Sequence, residues 1–218
     1  MNRKLSTIAA VMLACAPLSA AQAHDTQPGI GAGIRQELAD ARKEVRIDLA
    51  KAKRELDTDN LRIDNGLQFG DSSRGQKNLP RAEITPRGDF LIEGKAQAID
   101  AGQRTQLLAY RGQVIEVAKA GIDIGQRGAD AALEAIGNGS WAGLLFGAMT
   151  GSLERRIERV VKQEIEPGVR GICRRMPALM GSQQRLASSL PQFRPYATLE
   201  KDDVADCEKQ IRSEFASL

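Results

Sequence analysis

Apolar residues recur at every seventh position in the middle of the chain, at Leu108, Ile115, Ile122, Ala129 and Ile136. This spacing places the five side chains along one face of an α-helix. A second stripe runs beside the first and consists of small residues, namely Ala118, Gly121, Gly125, Gly128, Ala132 and Ala135. Glycine inside a helix costs about 1 kcal/mol relative to alanine. The pattern therefore predicts a long helix whose small face another backbone approaches closely.

The segment that follows carries glycines at intervals of four residues, at Gly139, Gly143, Gly147 and Gly151. On a helix these positions form one smooth groove, and small faces of this kind allow tight contact between helices. Large apolar side chains, including Trp141 and Phe146, lie between the glycines. The segment has about 13 residues, which is too short to span a bilayer. We predict a buried helical hairpin, with self-association or membrane insertion of residues 139–151 as the alternatives.

Two stretches upstream of the long helix alternate polar and apolar residues, which is the period of a β-strand. The first surrounds Asn65-Gly66, a favoured two-residue hairpin turn. The second consists of residues 82–85 and 90–96, on either side of Pro86-Arg87-Gly88-Asp89. Proline and glycine suit a turn at that point. These patterns predict a small antiparallel sheet.

Several signals mark where the helices begin and end. Residues 34–56 carry a narrow apolar stripe on an otherwise charged helix, which docks on its own domain or on a partner. Asp100 and Gln103 have the spacing of a capping box, so the long helix is expected to begin there. Pro167-Gly168 is expected to break or kink a later helix, and Thr198 to cap the last one.

These patterns together predict an α+β fold that is mainly α. A small antiparallel β-hairpin sheet leads into a helical bundle with glycine-faced helix packing. The expected organisation is a signal peptide at residues 1–23, a charged helical segment at 24–60, a β region at 61–99 and a helical domain at 100–218.

The amino terminus has the three parts of a secretory signal peptide. Arg3 and Lys4 precede an apolar run at residues 8–16, and Ala21-Gln22-Ala23 forms a cleavage site. Cleavage after Ala23 predicts a periplasmic protein. The alternative is a lipoprotein signal processed at Cys15.

Cysteine counting predicts one disulfide. Removal of the signal peptide takes Cys15 with it and leaves Cys173 and Cys207 as the remaining cysteines. An even pair in an oxidising compartment favours a bridge over two free thiols.

The sequence assigns no catalytic, cofactor or metal site. The single histidine is His24, at the predicted mature amino terminus, so a histidine base within the domain is missing. Phosphate-loop and dinucleotide fingerprints are also missing from the sequence. Removal of residues 1–23 takes two of the 31 Lys and Arg residues and none of the 28 Asp and Glu residues, and the near-neutral, interspersed charges that remain argue against a nucleic-acid partner. A non-enzymatic module that binds a periplasmic protein or another envelope component is expected, with peripheral membrane contact or a hydrolase carboxylate pair as alternatives.

Two blocks of the sequence carry a more specific pattern. The first contains Gly88, Phe90, Ile92, Gly94, Gln103, Arg104, Tyr110 and Arg111, and the second contains Cys173, Leu179, Gln184, Leu186, Pro191, Phe193, Pro195 and Tyr196. With these residues, the chain from position 81 onwards resembles the YggN-like family of exported Gram-negative proteins, a domain of unknown function. The resemblance implies a periplasmic address and no established activity, so it supplies no catalytic residue.

Overall fold

The structure, a computed structural model, describes residues 30–64, 79–137, 155 and 158–216. The predicted signal peptide, the Asn65-Gly66 turn and the glycine-spaced segment 139–151 lie outside these residues.

Four helices and one small sheet make up the described part of the chain, which confirms the predicted α+β, mainly α class. The helices are α1 (Ile30–Thr58), α2 (Ala101–Gly137), α3 (Glu166–Ser189) and α4 (Lys201–Ala216). The strands are β1 (Leu61–Arg62), β2 (Ala82–Ile84), β3 (Phe90–Ile92) and β4 (Lys95–Ala96). A π-helical turn at Val161–Ile165 precedes α3, and a 3-10 helix at Pro191–Tyr196 follows it.

The four strands pair antiparallel in chain order. The predicted turn between β2 and β3 is confirmed, with the backbone N–H of Thr85 donating to the carbonyl of Asp89 at 3.0 Å. The single strand predicted at residues 90–96 is instead two strands. Glu93 and Gly94 both have positive φ, 49° and 73°, and form a tight turn between β3 and β4. Positive φ at both central residues matches the right-handed twist of a two-residue hairpin.

Gly88, in the turn between β2 and β3, is a position where an added side chain would meet both backbone strain and a lack of space. Its φ is +80°, and a Cβ built there lies 2.8 Å from Cγ of Leu108 and 3.2 Å from the carbonyl oxygen of Arg104. We expect Gly88→Ala to lower the free energy of unfolding by about 2–3 kcal/mol. Gly94→Ala is the matched control, because its φ is +73° but nothing lies within 4 Å of its Cβ. Urea unfolding of both variants tests this, and equal losses would show that space at Gly88 is irrelevant.

Helix α2 begins with the capping box that the sequence predicts. The N–H of Gln103 donates to Oδ1 of Asp100 at 2.8 Å, and the N–H of Asp100 donates to Oε1 of Gln103 at 2.9 Å. The same Gln103 also donates through Nε2 to the carbonyl of Ser189 at 2.6 Å. This bond ties the start of α2 to the end of α3.

The core lies between the sheet, α2, α3 and the 3-10 helix. Four aromatic residues form its centre: Phe90 of β3, Tyr110 of α2, and Phe193 and Tyr196 of the 3-10 helix. The Phe193 ring lies 5.9 Å from that of Phe90 and 5.4 Å from that of Tyr110, at tilted and edge-on angles that aromatic pairs favour. Leu107, Met176, Leu179, Leu186 and Leu190 surround this cluster.

The buried face of α2 overlaps the predicted sevenfold stripe at Ile115, which is 5% exposed, but not at Leu108. Leu108 is 41% exposed, whereas its neighbour Leu107 is fully buried. Tyr110, Val114 and Val117 continue the face that Leu107 begins. The spacing of three and four residues that these side chains follow is helical too, and it places the ring of Tyr110 against Phe193 of the 3-10 helix.

Of the three glycines predicted on the small face of α2, Gly128 has a neighbour, since a Cβ built there lies 3.7 Å from Cδ1 of Ile165, but the tightest helix contact is at Gly168, which was not predicted. No described atom lies within 4 Å of a Cβ built at Gly121 or Gly125. A Cβ built at Gly168 of α3 lies 2.5 Å from Cγ1 of Ile124 of α2. Gly168 therefore allows these two helices to approach each other at this point.

Pro167 does not break the helical path. The N–H of Glu166 bonds to the carbonyl of Val161, five residues back, which closes a π-helical turn just before the proline. Pro167 then occupies the first turn of α3, where a missing N–H is tolerated. The last helix also begins differently from the prediction: Thr198 is not its cap, and the N–H of Glu200 donates to Oδ2 of Asp203 at 2.8 Å.

Helix α1 docks on α2 mainly through charged side chains. Nη2 of Arg46 lies 2.9 Å from Oδ2 of Asp130, and Nζ of Lys119 lies 2.7 Å from Oδ1 of Asp57. The predicted apolar stripe of α1 is only half-buried at Leu49, and Val45 is 41% exposed. The charged helix therefore contacts its own domain.

Arg111 fixes the end of α1. Its side chain is buried, and Nη2 lies 2.9, 3.1 and 2.7 Å from the carbonyl oxygens of Leu56, Asp57 and Asp59. Carbonyls at a helix carboxyl terminus lack partners within the helix and favour a cation.

We expect Arg111→Met to lower the free energy of unfolding by about 2–4 kcal/mol, because three backbone carbonyl oxygens lose the charged donor that they share. The exposed Arg54 of α1 provides the matched control, and Arg54→Met is expected to change stability by less than about 0.5 kcal/mol. Urea unfolding followed by circular dichroism compares the two. Equal, small effects would contradict the role assigned to Arg111.

Candidate binding surface

The structure describes some of the predicted site residues and not others. It joins Cys173 of α3 to Cys207 of α4 as a disulfide, with their Cα atoms 5.8 Å apart. The predicted packing or interaction residues lie outside the described part of the chain, namely Gly139, Gly143, Gly147, Gly151, Trp141 and Phe146.

Several residues of the two sequence blocks described above serve the fold. Phe90, Tyr110, Phe193 and Tyr196 form the aromatic cluster. Nη1 of Arg104 donates to the carbonyl of Arg87 at 3.1 Å and so holds the turn after β2. These residues stabilise the fold, and they do not identify a binding surface.

Two carboxylates are largely buried near the β1 and β2 strands. The side chain of Asp64 is 8% exposed and that of Glu83 is 9% exposed. Nη2 of Arg62 lies 2.6 Å from Oδ2 of Asp64, and this hydrogen bond holds the pKa of the Asp64 carboxyl below its usual range. Nε of Arg81 donates to Oε1 of Glu83 at 2.9 Å. Each carboxylate is therefore neutralised by its own arginine.

Helix α3 has two contrasting sides. Its inner side is buried in the core and bears Cys173, Met176, Leu179, Gln183 and Leu186. Gln183 uses both ends of its amide there: Nε2 donates to the carbonyl of Leu199 at 3.0 Å, and Oε1 accepts from the N–H of Leu199 at 3.2 Å. The inner side is thus fixed by apolar contacts, a disulfide and satisfied hydrogen bonds.

The outer side of α3 carries exposed arginines. Arg170, Arg174 and Arg185 are spaced by four and eleven residues, close to whole helical turns, so they share one face opposite the core. Arg175 is about 100° around the helix from Arg174, and Arg194 belongs to the 3-10 helix, where its Nε donates to the carbonyl of Ala187 at 2.9 Å; both are exposed but lie off this line. We call the three aligned and exposed residues Arg170, Arg174 and Arg185 the arginine face.

The arginine face is poor in neutralising partners. Arg170 hydrogen-bonds to the carboxylate of Glu166 at 2.8 Å. Arg185 contacts the hydroxyl of Ser182, and Arg175 contacts the carbonyl of Gly171, both of which are uncharged. Of the three arginines of the face, only Arg170 pairs with a carboxylate within the part of the chain that the structure describes. The face therefore presents two positive charges that have no carboxylate partner among those residues.

The sequence carries a signal for this face that the overall charge of the chain does not reveal. From residue 167 to residue 199 the chain contains five arginines, no lysine and no acidic residue. The near-neutral balance of the whole chain conceals this run. The exposure of the arginines depends on which side of α3 is buried, and that is known only once the helices are packed together.

The described residues contain no group of three or more His, Cys, Asp or Glu side chains that could hold a metal ion. Among the same residues, no helix is long and apolar enough to cross a membrane.

Comparison with known proteins adds no assignment to this geometry. The chain matches no protein-family model, no curated protein and no solved structure.

Proposed function

We propose that this chain is an exported, non-enzymatic binding module of the bacterial cell envelope and that it contacts its partner through the arginine face. The observation that carries the proposal is three exposed arginines aligned on one side of α3, within a run of sequence that has no acidic residue. Export is supported by the signal-peptide pattern of residues 1–23 and by the resemblance to an exported family.

The packing of α3 favours recognition at its outer side. Cys173 and Met176 on the inner side are 2% and 0% exposed, so this side has no surface left for a partner. A helix held in this way presents its outer side chains from a fixed backbone. Less conformational freedom is then lost on binding than with a flexible segment.

The burial and pairing of carboxylates argue against the hydrolase alternative. A general acid needs a carboxyl whose pKa is raised toward neutrality. The pKa of Asp64 is shifted the opposite way by Arg62, and Arg81 and Asn60 hydrogen-bond to Glu83. The alternative that uses residues 139–151 concerns a segment outside the described residues, and no contact of the described part favours it.

Retention on an immobilised sulfated polysaccharide tests the proposed function, since this probe offers dense negative charge without a lipid. The protein is recovered after export, and its amino terminus is determined by mass spectrometry. The test variant is Arg170→Gln/Arg174→Gln/Arg185→Gln. The control is Lys43→Gln/Lys95→Gln/Lys209→Gln, which removes the same charge from exposed positions on α1, β4 and α4.

We expect the arginine variant to elute at a clearly lower salt concentration than both the control and the unmodified protein. Identical elution of the two variants would overturn the arginine face as the binding surface. Failure of the protein to appear outside the cytoplasm, with the signal peptide removed, would overturn the envelope address.

A further inference from the structure

We propose that the arginine face binds the phosphate groups of an anionic phospholipid bilayer, so that the protein lies peripherally on a membrane surface. This inference rests on the proposed function and names the chemistry of the partner. Three properties of the face support it: the residue type, the linear arrangement and the lack of apolar anchors.

The residue type favours phosphate. The three cations of the face lie in a run, residues 167–199, whose basic residues are all arginines, although lysines occur elsewhere on the surface. A guanidinium presents a rigid planar fork of donors that can bind two phosphate oxygens at once, whereas an ammonium is a strongly hydrated point charge. A purely arginine surface is therefore better suited to hydrogen-bonding with phosphates than to diffuse attraction alone.

The linear arrangement favours an extended surface over a small anion. Arg170 and Arg185 are separated by fifteen residues of continuous helix, which is about 22 Å along the axis. Arg174 lies between them on the same side. A single free phosphate would contact one or two of these guanidinium groups, whereas a layer of lipid headgroups can contact the whole line.

The residues between the arginines distinguish a membrane from a protein partner. The exposed positions between Arg174 and Arg185 include Pro177 and Ala178, and Gly181 is half-buried. A stable protein interface usually needs a large aromatic or aliphatic side chain buried at its centre. Adsorption to anionic headgroups needs basic residues near the surface and no such anchor. Small residues between the cations also let the helix lie flat.

The experiment is sedimentation of the exported, processed protein with lipid vesicles. One set of vesicles mixes phosphatidylglycerol with phosphatidylcholine, and the other contains phosphatidylcholine alone. The variants are the arginine-to-glutamine triple, the lysine-to-glutamine control, and Arg170→Lys/Arg174→Lys/Arg185→Lys. Free inorganic phosphate and a DNA duplex are added as competitors at phosphate concentrations equal to that of the anionic lipid.

We expect binding to the anionic vesicles and none to the neutral ones, and weaker binding as salt is raised. A basic residue near an anionic leaflet contributes about fivefold in affinity, so loss of three arginines is expected to weaken binding about a hundredfold. The lysine-to-glutamine control should bind as the unmodified protein does. The arginine-to-lysine variant should bind more tightly than the glutamine variant, since it keeps the charge, and less tightly than the unmodified protein, since it loses the two-pronged hydrogen bonds to phosphate.

Several results would overturn the inference. The first is that the protein binds neutral vesicles as tightly as anionic ones. The second is that the lysine-to-glutamine control loses as much affinity as the arginine variant. The third is that free phosphate or DNA, added as a competitor, displaces the protein from the anionic vesicles. Retention on the sulfated polysaccharide without vesicle binding would overturn the lipid inference and leave the proposed function standing. Failure of both assays would overturn both.

Discussion

Replacement of Phe193 by alanine is expected to lower the free energy of unfolding by about 3–5 kcal/mol. Phe193 is fully buried, and its ring contacts those of Phe90 and Tyr110 at centroid distances of 5.9 and 5.4 Å. The substitution removes apolar burial, leaves a cavity and ends both ring contacts. Equilibrium unfolding in urea, followed by far-ultraviolet circular dichroism, measures the loss.

Leu108→Ala is the control for this prediction. Leu108 is 41% exposed and lies on α2 only two residues from Tyr110. Its replacement is expected to cost less than about 1 kcal/mol, because little apolar surface leaves the core. A loss at Phe193 no larger than the loss at Leu108 would contradict the placement of the aromatic cluster at the centre of the fold.

Removal of the disulfide is expected to have a comparable effect. Cys173 and Cys207 are 34 residues apart, and the chain-entropy model assigns a bridge over such a loop about 4 kcal/mol of stabilisation. The double variant Cys173→Ala/Cys207→Ala should therefore unfold at a much lower urea concentration than the unmodified protein. Its helical content in the absence of denaturant should be retained, because α3 is also held by Met176 and Leu179.

A reducing agent provides the control for the disulfide. It should lower the unfolding midpoint of the unmodified protein and leave that of the double variant unchanged. A thiol assay of the unfolded protein, without reduction, should find no free thiol in the processed chain. Two free thiols, or a midpoint that ignores the reducing agent, would contradict the bridge between α3 and α4.

Caps and turns were predictable from the sequence, whereas the packing of helices against the sheet and against each other was less predictable. The capping box of Asp100 and Gln103 and the turn at Gly88 depend on neighbouring residues, so their patterns identify them directly. The burial of Leu107 in place of Leu108 depends on where the sheet and the 3-10 helix lie. Two adjacent leucines offer a helix two possible faces, and only tertiary packing selects one.

The continuation of the helix past Pro167 is a second case. A proline normally indicates a helix end because it lacks the N–H that the previous turn would accept. The π-helical turn at Val161–Ile165 ends just before Pro167, and α3 begins at the next residue, Glu166, so the helix continues through the proline. Such wide turns have no simple sequence pattern.

The arginine face was predictable from the sequence in part. The run without acidic residues between positions 167 and 199 is visible in the sequence, but averaging charge over the chain hides it. Which arginines share a face follows from helical spacing alone. That this face points away from the core follows only from the burial of Cys173 and Leu179 on the opposite side.

The most direct test of the arginine face as the working surface is to map which arginines a bound vesicle protects. The exported protein is treated with an arginine-specific dicarbonyl reagent, with and without anionic vesicles, and modification at each arginine is quantified by mass spectrometry. We predict strong protection of Arg170, Arg174 and Arg185, and unchanged modification of the exposed Arg54 and Arg87. Equal modification of the three α3 arginines with and without vesicles, or protection confined to Arg54 and Arg87, would contradict the account.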